Sequence, residues 1–278
     1  MGWSGAGRLD GRPVPLSFGR VHPILDTSRR SVVGHRGNRA HAPENTLESF
    51  AQAVVLGVDA LEFDVHLSAD DVPVVHHDRT LDRTTSGTGP IAARTVAELR
   101  ALDAGMHWTG DGGRSHPYRE RGIRVPTLAE LLDAFVDVPL LIELKTPAAS
   151  IAVRRVLERH GATGRAVVDA FDAAALAPFR GSSIAIGSSR GDVARLLATT
   201  LVGRRPRAVP YAAVCVPLSY RGLPLPVARF AAALRPSGVP VHVWTINDVR
   251  VGMALWRGGI AGIITDDPGA MLRARAAL

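Results

Sequence analysis

The chain has 278 residues, 46% hydrophobic and 21% charged, with a formal net charge of +7 and a single cysteine, a balance that supports a sizeable core and argues against disorder. The lone Cys215, inside AAVCVP, excludes an internal disulfide, and the arginines are scattered rather than gathered in a stripe with aromatics, which counts against nucleic-acid binding. No uninterrupted apolar segment is long enough to cross a bilayer, and the opening MGWSGAGRLDGRPVPLSFG lacks the basic-then-apolar layout of a secretion signal, so a cytoplasmic location is expected.

Residues 1–30, rich in Gly, Pro and Arg without a period, are expected to form an extended lead-in. SVVGHRG (31–37) reads as a first strand. Leu47, Phe50, Ala51, Val54 and Val55 recur at helical spacing, opened by Asn45 with Glu48 three residues on and closed by Gly57. DALEFDVHL then reads as a strand and VPVVHHD as a further extended piece. Next comes a long connection, about 79–126, holding a capped helix, TVAELRAL, and the glycine-rich stretch DAGMHWTGDGGRSHPYRERG. Excursions of this length in a compact domain are usually functional, and this one is expected to cover the mouth of the fold.

From there the chain repeats apolar strand, short loop and amphipathic helix, with strands near 139–144, 166–170, 183–187, 211–216, 240–244 and 260–264. With 31–36 and 60–65 these make eight. Alternating helices and nearly all-apolar strands predict a parallel sheet, and eight repeats predict an α/β fold of the (β/α)8 TIM-barrel kind, one domain over 31–278 with an insertion after the second strand.

Side chains two apart on a strand share a face, which pairs Glu62 with Asp64 and Glu143 with Lys145, the only lysine in the chain. If both pairs face inward, three carboxylates meet at one mouth, and a hard divalent cation, Mg2+ or Ca2+, is an economical way to offset their repulsion. In the plainer alternative Lys145 merely neutralises Glu143, and Glu62 and Asp64 are solvated strand-end charges. His35, Arg36, His76, His77 and Asp78 are predicted near the same mouth. Histidines suit acid and base work, and Arg36 and Lys145 add fixed positive charge suited to a phosphate.

The motifs HRGNRAHAPENT (35–46), ALEFDVHLSADDVPVVHHDRTLDRTT (60–85), RVPTLAELL (124–132), IELK (142–145), VWTIN (243–247) and ITDDP (264–268) occur in that order. Together they resemble the glycerophosphodiester phosphodiesterase family over most of residues 31–270. The resemblance implies a (β/α)8 barrel with an insertion after the second strand. It implies His35 and His77 as the general acid and base, Glu62, Asp64 and Glu143 as ligands of one divalent cation, and Arg36 and Lys145 as phosphate contacts. It also brings Glu44 and Asn45 to the site, although Asn45 serves equally well as a helix cap. Trp244 resembles the family's pocket tryptophan, with plain barrel packing as the alternative. Ala170 and Phe171 stand where the family often has Ser and Phe, which leaves Phe171 as a pocket wall. His76 is read as structural, His66 as polar and non-catalytic, and Asn247 and Asp267 as helix caps with Pro268 just inside the last helix.

The implied reaction is metal-dependent hydrolysis of a small-molecule glycerophosphodiester to sn-glycerol 3-phosphate and an alcohol. Two other readings share the scaffold. One is a lysophospholipase D-type lipid phosphodiesterase, favoured by an apolar groove near PLSYRGLPLPVARF (217–230), and the other a catalytically silent barrel that binds phosphorylated ligands.

Overall fold

The protein's architecture is given by a computed structural model that describes residues 22–278. The elements run, in chain order, β1 (Ser31–His35), α1 (Leu47–Leu56), β2 (Ala60–Leu67), β3 (Pro73–Val75), α2 (Val96–Arg100), α3 (Leu128–Ala134), β4 (Leu140–Leu144), α4 (Ser150–Arg159), β5 (Ala166–Asp169) and α5 (Ala173–Leu176). They continue with β6 (Ala185–Ile186), α6 (Arg190–Leu201), β7 (Val214–Pro217), β8 (Ser219–Tyr220), β9 (Leu223–Pro224), α7 (Val227–Leu234), β10 (Val241–Trp244), α8 (Val249–Arg257), β11 (Gly262–Thr265) and α9 (Pro268–Ala276).

The main sheet has the order β6-β5-β4-β2-β1-β11-β10-β7, with every neighbouring pair parallel. A parallel bridge from Gly187 to Ala213, and a hydrogen bond from Ala212 N to Ile186 O, join its two edges, so the sheet curls round to meet itself. This is the expected α/β barrel. The VPVVHHD segment supplies β3, which pairs antiparallel with β2 outside the ring.

Two apolar layers hold the ring together. Outside it, residues such as Phe50, Phe63, Leu131, Val153 and Leu176 are buried between strands and helices. Inside it, Val33, Ala60, Leu141, Val167 and Ile264 point at one another, with Ile24 packed among them. Residues 1–21 of the expected lead-in lie outside the described residues. The remainder is more than an extended strand, because Pro23–Leu25 forms a short 3-10 turn that seats the fully buried Ile24. Full burial of one such side chain is worth roughly 1.5–3 kcal/mol, and the Ile24 carbonyl is held by His242 Nε2 at 2.8 Å.

Two helix starts differ from expectation by one residue. Helix α1 is capped by Thr46, whose hydroxyl accepts from Ser49 N, while Asn45 has left-handed φ (57°) and turns its amide to Asp64. Helix α8 is capped by Asp248, and Asn247 instead pairs with Asp266. Asp267 does cap α9, with Pro268 inside it.

The insertion builds a small core of its own from Val74, Leu81, Ile91, Leu99, Ala104 and Val125, and α2 carries the Thr95–Glu98 capping box. It grips the loop between β1 and α1, where Trp108 Nε1 donates to Arg39 O (3.2 Å) and the Tyr118 hydroxyl to His41 O (2.9 Å). It thus walls one flank of the mouth and supplies no lining residue to the pocket beneath. No helix of the described residues is long and apolar enough to cross a membrane.

Candidate active site

Strand register assembles the carboxylates. Parallel pairing sets Glu62 opposite His35, Glu143 opposite Asp64, and Asp169 opposite Glu143; His35, Glu143 and Asp169 stand at the C-terminal ends of β1, β4 and β5, the face at which barrel chemistry is carried out. Glu62, Asp64 and Glu143 each bring an oxygen within 4.8 Å of the other two. Lys145 Nζ lies 2.7 Å from both Asp64 Oδ1 and Glu143 Oε1. Arg36 reaches Asp64 Oδ2 through Nε at 3.2 Å and donates its backbone N–H to Glu62 Oε2 at 3.0 Å. Asn45 Nδ2 donates to Asp64 Oδ2 at 2.8 Å.

Asp64 therefore gathers most of the positive charge. Burial alone would raise its pKa, but Lys145 and Arg36 prevail and hold it below the usual carboxylate range. Glu62 goes the other way, pushed well up by burial and by Asp64. Burial also raises Glu143, against the pull of Lys145. Lys145 is held above its ordinary value because Asp64 and Glu143 outweigh its burial. Two buried carboxylates and the half-buried Glu143 thus share two cations, which leaves a deficit of positive charge lined by oxygen donors. A hard divalent cation fits that donor set and that deficit.

The loop that carries Arg36 depends on Gly37, which has φ 91° and lies so near Ser49 that a Cβ would meet its main-chain carbon at 2.7 Å. Only glycine combines that dihedral with that approach. Glu44 backs the same loop, its two oxygens taken by Arg36, Arg39 and Arg83. Burial would raise its pKa, yet the arginines hold it far below the carboxylate range. Glu44 accordingly supports Arg36 and lines a polar cavity of about 610 Å3 under the insertion, away from the trio.

Each histidine expected at the site is backed by a carboxylate. His35 Nδ1 is 2.6 Å from Asp266 Oδ1, and Asp266 is fixed by Asn247 Nδ2 (2.9 Å) and Arg39 Nη1 (3.2 Å). His77 Nδ1 is 2.6 Å from Asp78 Oδ1, and Asp78 accepts from Arg83 Nε at 2.6 Å. Burial lowers the His77 pKa, against the raising influence of Asp64. Engaging Nδ1 in this way sets the ring orientation and turns Nε2 to the pocket. His66 donates its Nε2–H to the His77 carbonyl (3.0 Å) and so holds that main chain, while buried His76 faces Thr80 O.

His35, Arg36, Glu62, His77, Glu143 and Lys145 line one pocket of about 120 Å3, with Phe171 and Trp244 as its aromatic wall. Those two rings meet edge to face, 6.2 Å between centroids and 89° between planes. Asp169 enters the site although nothing in its local sequence singles it out, Asp266 enters it from the ITDDP motif, where the resemblance assigns it no role, and Asp78 gains a role as the partner of His77. Asp169 also lines the pocket, and burial with the nearby Glu143 pushes its pKa up to about 7.

A family model described as the glycerophosphoryl diester phosphodiesterase family matches residues 35–270. The chain belongs to this family. Every residue of the cluster, from His35 to Asp266, falls inside the matched span. Among relatives, a Bacillus subtilis glycerophosphodiester phosphodiesterase is 27% identical over 277 residues, covering 94% of this chain and 92% of its own. A probable glycerophosphodiester phosphodiesterase 1 of Mycobacterium tuberculosis is 32% identical over 258 residues, 86% of this chain and 89% of that one. An uncharacterized Mycobacterium tuberculosis protein is 39% identical over 150 residues, and the match spans about half of its length (50%) and 52% of this chain. The solved glycerophosphoryl diester phosphodiesterase domain of that protein superposes with a TM-score of 0.80 at 27% identity, covering 89% of this chain and 99% of the domain. An Oleispira antarctica phosphodiesterase in complex with the product sn-glycerol-3-phosphate gives 0.72 at 27% identity, covering 89% and 97%.

Proposed function

We propose that the protein hydrolyses glycerophosphodiesters to sn-glycerol 3-phosphate and an alcohol, using one divalent cation, Mg2+ or Ca2+, held by Glu62, Asp64 and Glu143. The observation that carries the reading is one pocket lined by Glu62, Glu143, Lys145, Arg36 and two carboxylate-backed histidines, with Asp64 buried against Lys145 and Arg36. The names of the relatives, and the product held by the Oleispira antarctica phosphodiesterase, support the substrate class.

When bound, the cation supplies positive charge that polarises a phosphoryl oxygen. Arg36 and Lys145 bind the remaining phosphoryl charge, and their contacts with Asp64 keep both cations in place before substrate arrives. One histidine takes a proton at Nε2 from the attacking oxygen, of water or of a substrate hydroxyl. The other gives a proton to the departing alcohol oxygen, so one P–O bond forms and one breaks; attack by water gives the monoester directly, whereas attack by a substrate hydroxyl gives a cyclic phosphate that a water then opens with the histidine roles reversed. Phe171 and Trp244 shield the reacting groups from water on one side.

The apolar cavity beside Trp244 favours a second substrate on the same machinery, a lysophospholipid whose headgroup alcohol is released. The test of the shared reaction is release of glycerol 3-phosphate from glycerophosphocholine by EDTA-treated protein with Mg2+ or Ca2+ restored. Product that depends on the ion and vanishes in His35→Ala is expected. Absence of product with both ions would overturn the reading for this substrate.

A further inference from the structure

A continuous chain of ion pairs runs from one histidine to the other. His35 Nδ1 meets Asp266 Oδ1 (2.6 Å), Asp266 Oδ2 accepts from Arg39 Nη1 (3.2 Å), and Arg39 Nε donates to Glu44 Oε2 (2.9 Å). From the far side Arg83 donates through Nη2 to Glu44 Oε1 (2.7 Å) and through Nη1 to Glu44 Oε2 (2.8 Å), while its Nε donates to Asp78 Oδ2 (2.6 Å). Asp78 Oδ1 closes the chain at His77 Nδ1 (2.6 Å). Glu44 is the midpoint, and its side chain is only 8% exposed. Arg39, Glu44, Arg83 and Asp266 line the polar cavity under the insertion rather than the pocket lined by His35 and His77.

The strand ladder does not by itself fix the two histidines relative to one another. β1 and β11 are paired, which brings together the ends that carry His35 and Asp266. His77, Asp78 and Arg83 instead follow β3, which pairs with β2 outside the ring and leads into the insertion. An acid and a base that serve one phosphorus must nevertheless be held at a set separation, and a misplacement of about 1 Å can cost roughly 100-fold in rate. Arginine suits the linking task because its planar fork fixes the direction of each donor. An exposed ion pair would hold little, but removing the charge of a nearly buried carboxylate strands the arginines around it.

We propose that Glu44 is a positioning residue for both histidines at once, joined to His35 through Arg39 and Asp266 and to His77 through Arg83 and Asp78. The assignment rests on the phosphodiesterase reading. It gives Glu44 a task beyond holding Arg36, whose Nη1 donates to Glu44 Oε1 at 2.7 Å.

The test compares steady-state turnover of glycerophosphocholine and of glycerophospho-p-nitrophenol with Mg2+ or Ca2+ present. Choline departs only with a proton from the acid, whereas p-nitrophenolate departs without one. Arg39→Met and Arg83→Met each cut one arm of the bridge. The variant cut behind the acid should lose roughly 10- to 100-fold in kcat on glycerophosphocholine and keep most of its rate on the p-nitrophenyl ester. The variant cut behind the base should lose on both, and KM should change little in either. Glu44→Gln should lose on both substrates, more on glycerophosphocholine, and in its background each arm substitution should cost little more. Losses that simply add between Glu44→Gln and the arm variants would make the arms independent and remove Glu44 as the link. Equal losses on both substrates from both arms, or a change in KM alone, would assign Glu44 to the support of Arg36. Arg39→Lys and Arg83→Lys keep the charge without the fork and so put the fold at less risk, and full activity in both would also overturn the bridge. Turnover of neither substrate by the unmodified protein would instead overturn the phosphodiesterase reading.

Discussion

One ammonium is shared between two carboxylates: Lys145 Nζ is 2.7 Å from Asp64 Oδ1 and 2.7 Å from Glu143 Oε1. A compact, rotatable point charge fits that gap, whereas the larger, planar guanidinium carries its donors in a rigid fork. Lys145→Arg is expected to lower kcat/KM by roughly 10- to 100-fold, the worth of a hydrogen bond to a charged group. Lys145→Ala should also turn over slowly, yet bind Mg2+ or Ca2+ more tightly by calorimetry, because the competing cation is gone. A fully active Lys145→Arg would show that the geometry of this charge is immaterial.

The two histidines are set up alike, each with a carboxylate on Nδ1. His35→Ala and His77→Ala should each reduce kcat by about 10²–10⁴-fold, the usual contribution of a positioned acid or base. Asp266→Asn removes the charge behind His35 while keeping a hydrogen-bonding side chain against Asn247 and Arg39. It should lower kcat and leave KM nearly unchanged, as expected for a residue that orients a proton carrier. A KM effect alone in steady-state kinetics would assign Asp266 to substrate binding instead.

Repulsion within the carboxylate trio should be visible in stability. A divalent cation at 100 times its dissociation constant adds about 2.7 kcal/mol to the folded state, so the melting temperature should rise on adding Mg2+ or Ca2+ and fall with EDTA. Glu62, raised by burial and by Asp64, is the member with the least compensation. Glu62→Gln should melt higher than the unmodified protein in EDTA and lose most of the ion-dependent rise. Equal ion-dependent shifts in both proteins, by scanning fluorimetry, would remove Glu62 from the ligand set.

Acid sensitivity should begin well above the carboxylate range. His242 is fully buried, and burial holds its pKa down to about 4, against the hydrogen bond with Ile24 O. Between its ordinary value and that depressed one, the unfolded chain takes up a proton that the native protein refuses, so stability falls as pH drops through about 6.5 to 4 and is flat above. The loss from this residue can reach roughly 3 kcal/mol, and His66, also lowered to about 4 by burial, acts in the same window. Urea unfolding near neutral pH and near the foot of the window should show a smaller loss for His242→Gln. Identical losses would place the acid sensitivity elsewhere.

The barrel was legible because each of its strands is a short apolar run, and a strand alternates faces with no dependence on distant residues. The carboxylate trio was legible for the same reason: Glu62 and Asp64, like Glu143 and Lys145, are two apart on one strand. Helix starts were harder. Asn45 and Thr46 are both good caps, as are Asn247 and Asp248, and the choice was made by where Asp64 and Asp266 needed a donor. Asp266 itself lies 231 residues from its histidine, and no local pattern can announce such a partner. Ile24 is similar, an apolar residue in a Gly- and Pro-rich stretch whose burial depends on the barrel floor above it.

The single lysine has a practical consequence. Because Lys145 is the only side-chain amine in the sequence and its side chain is 14% exposed, between two carboxylates, amine-directed reagents have one side-chain address, on the floor of the pocket. Reductive methylation with labelled formaldehyde would install one side-chain probe there, besides the label on the α-amine, without any engineered residue. Its signal would report directly on whatever enters between Asp64 and Glu143.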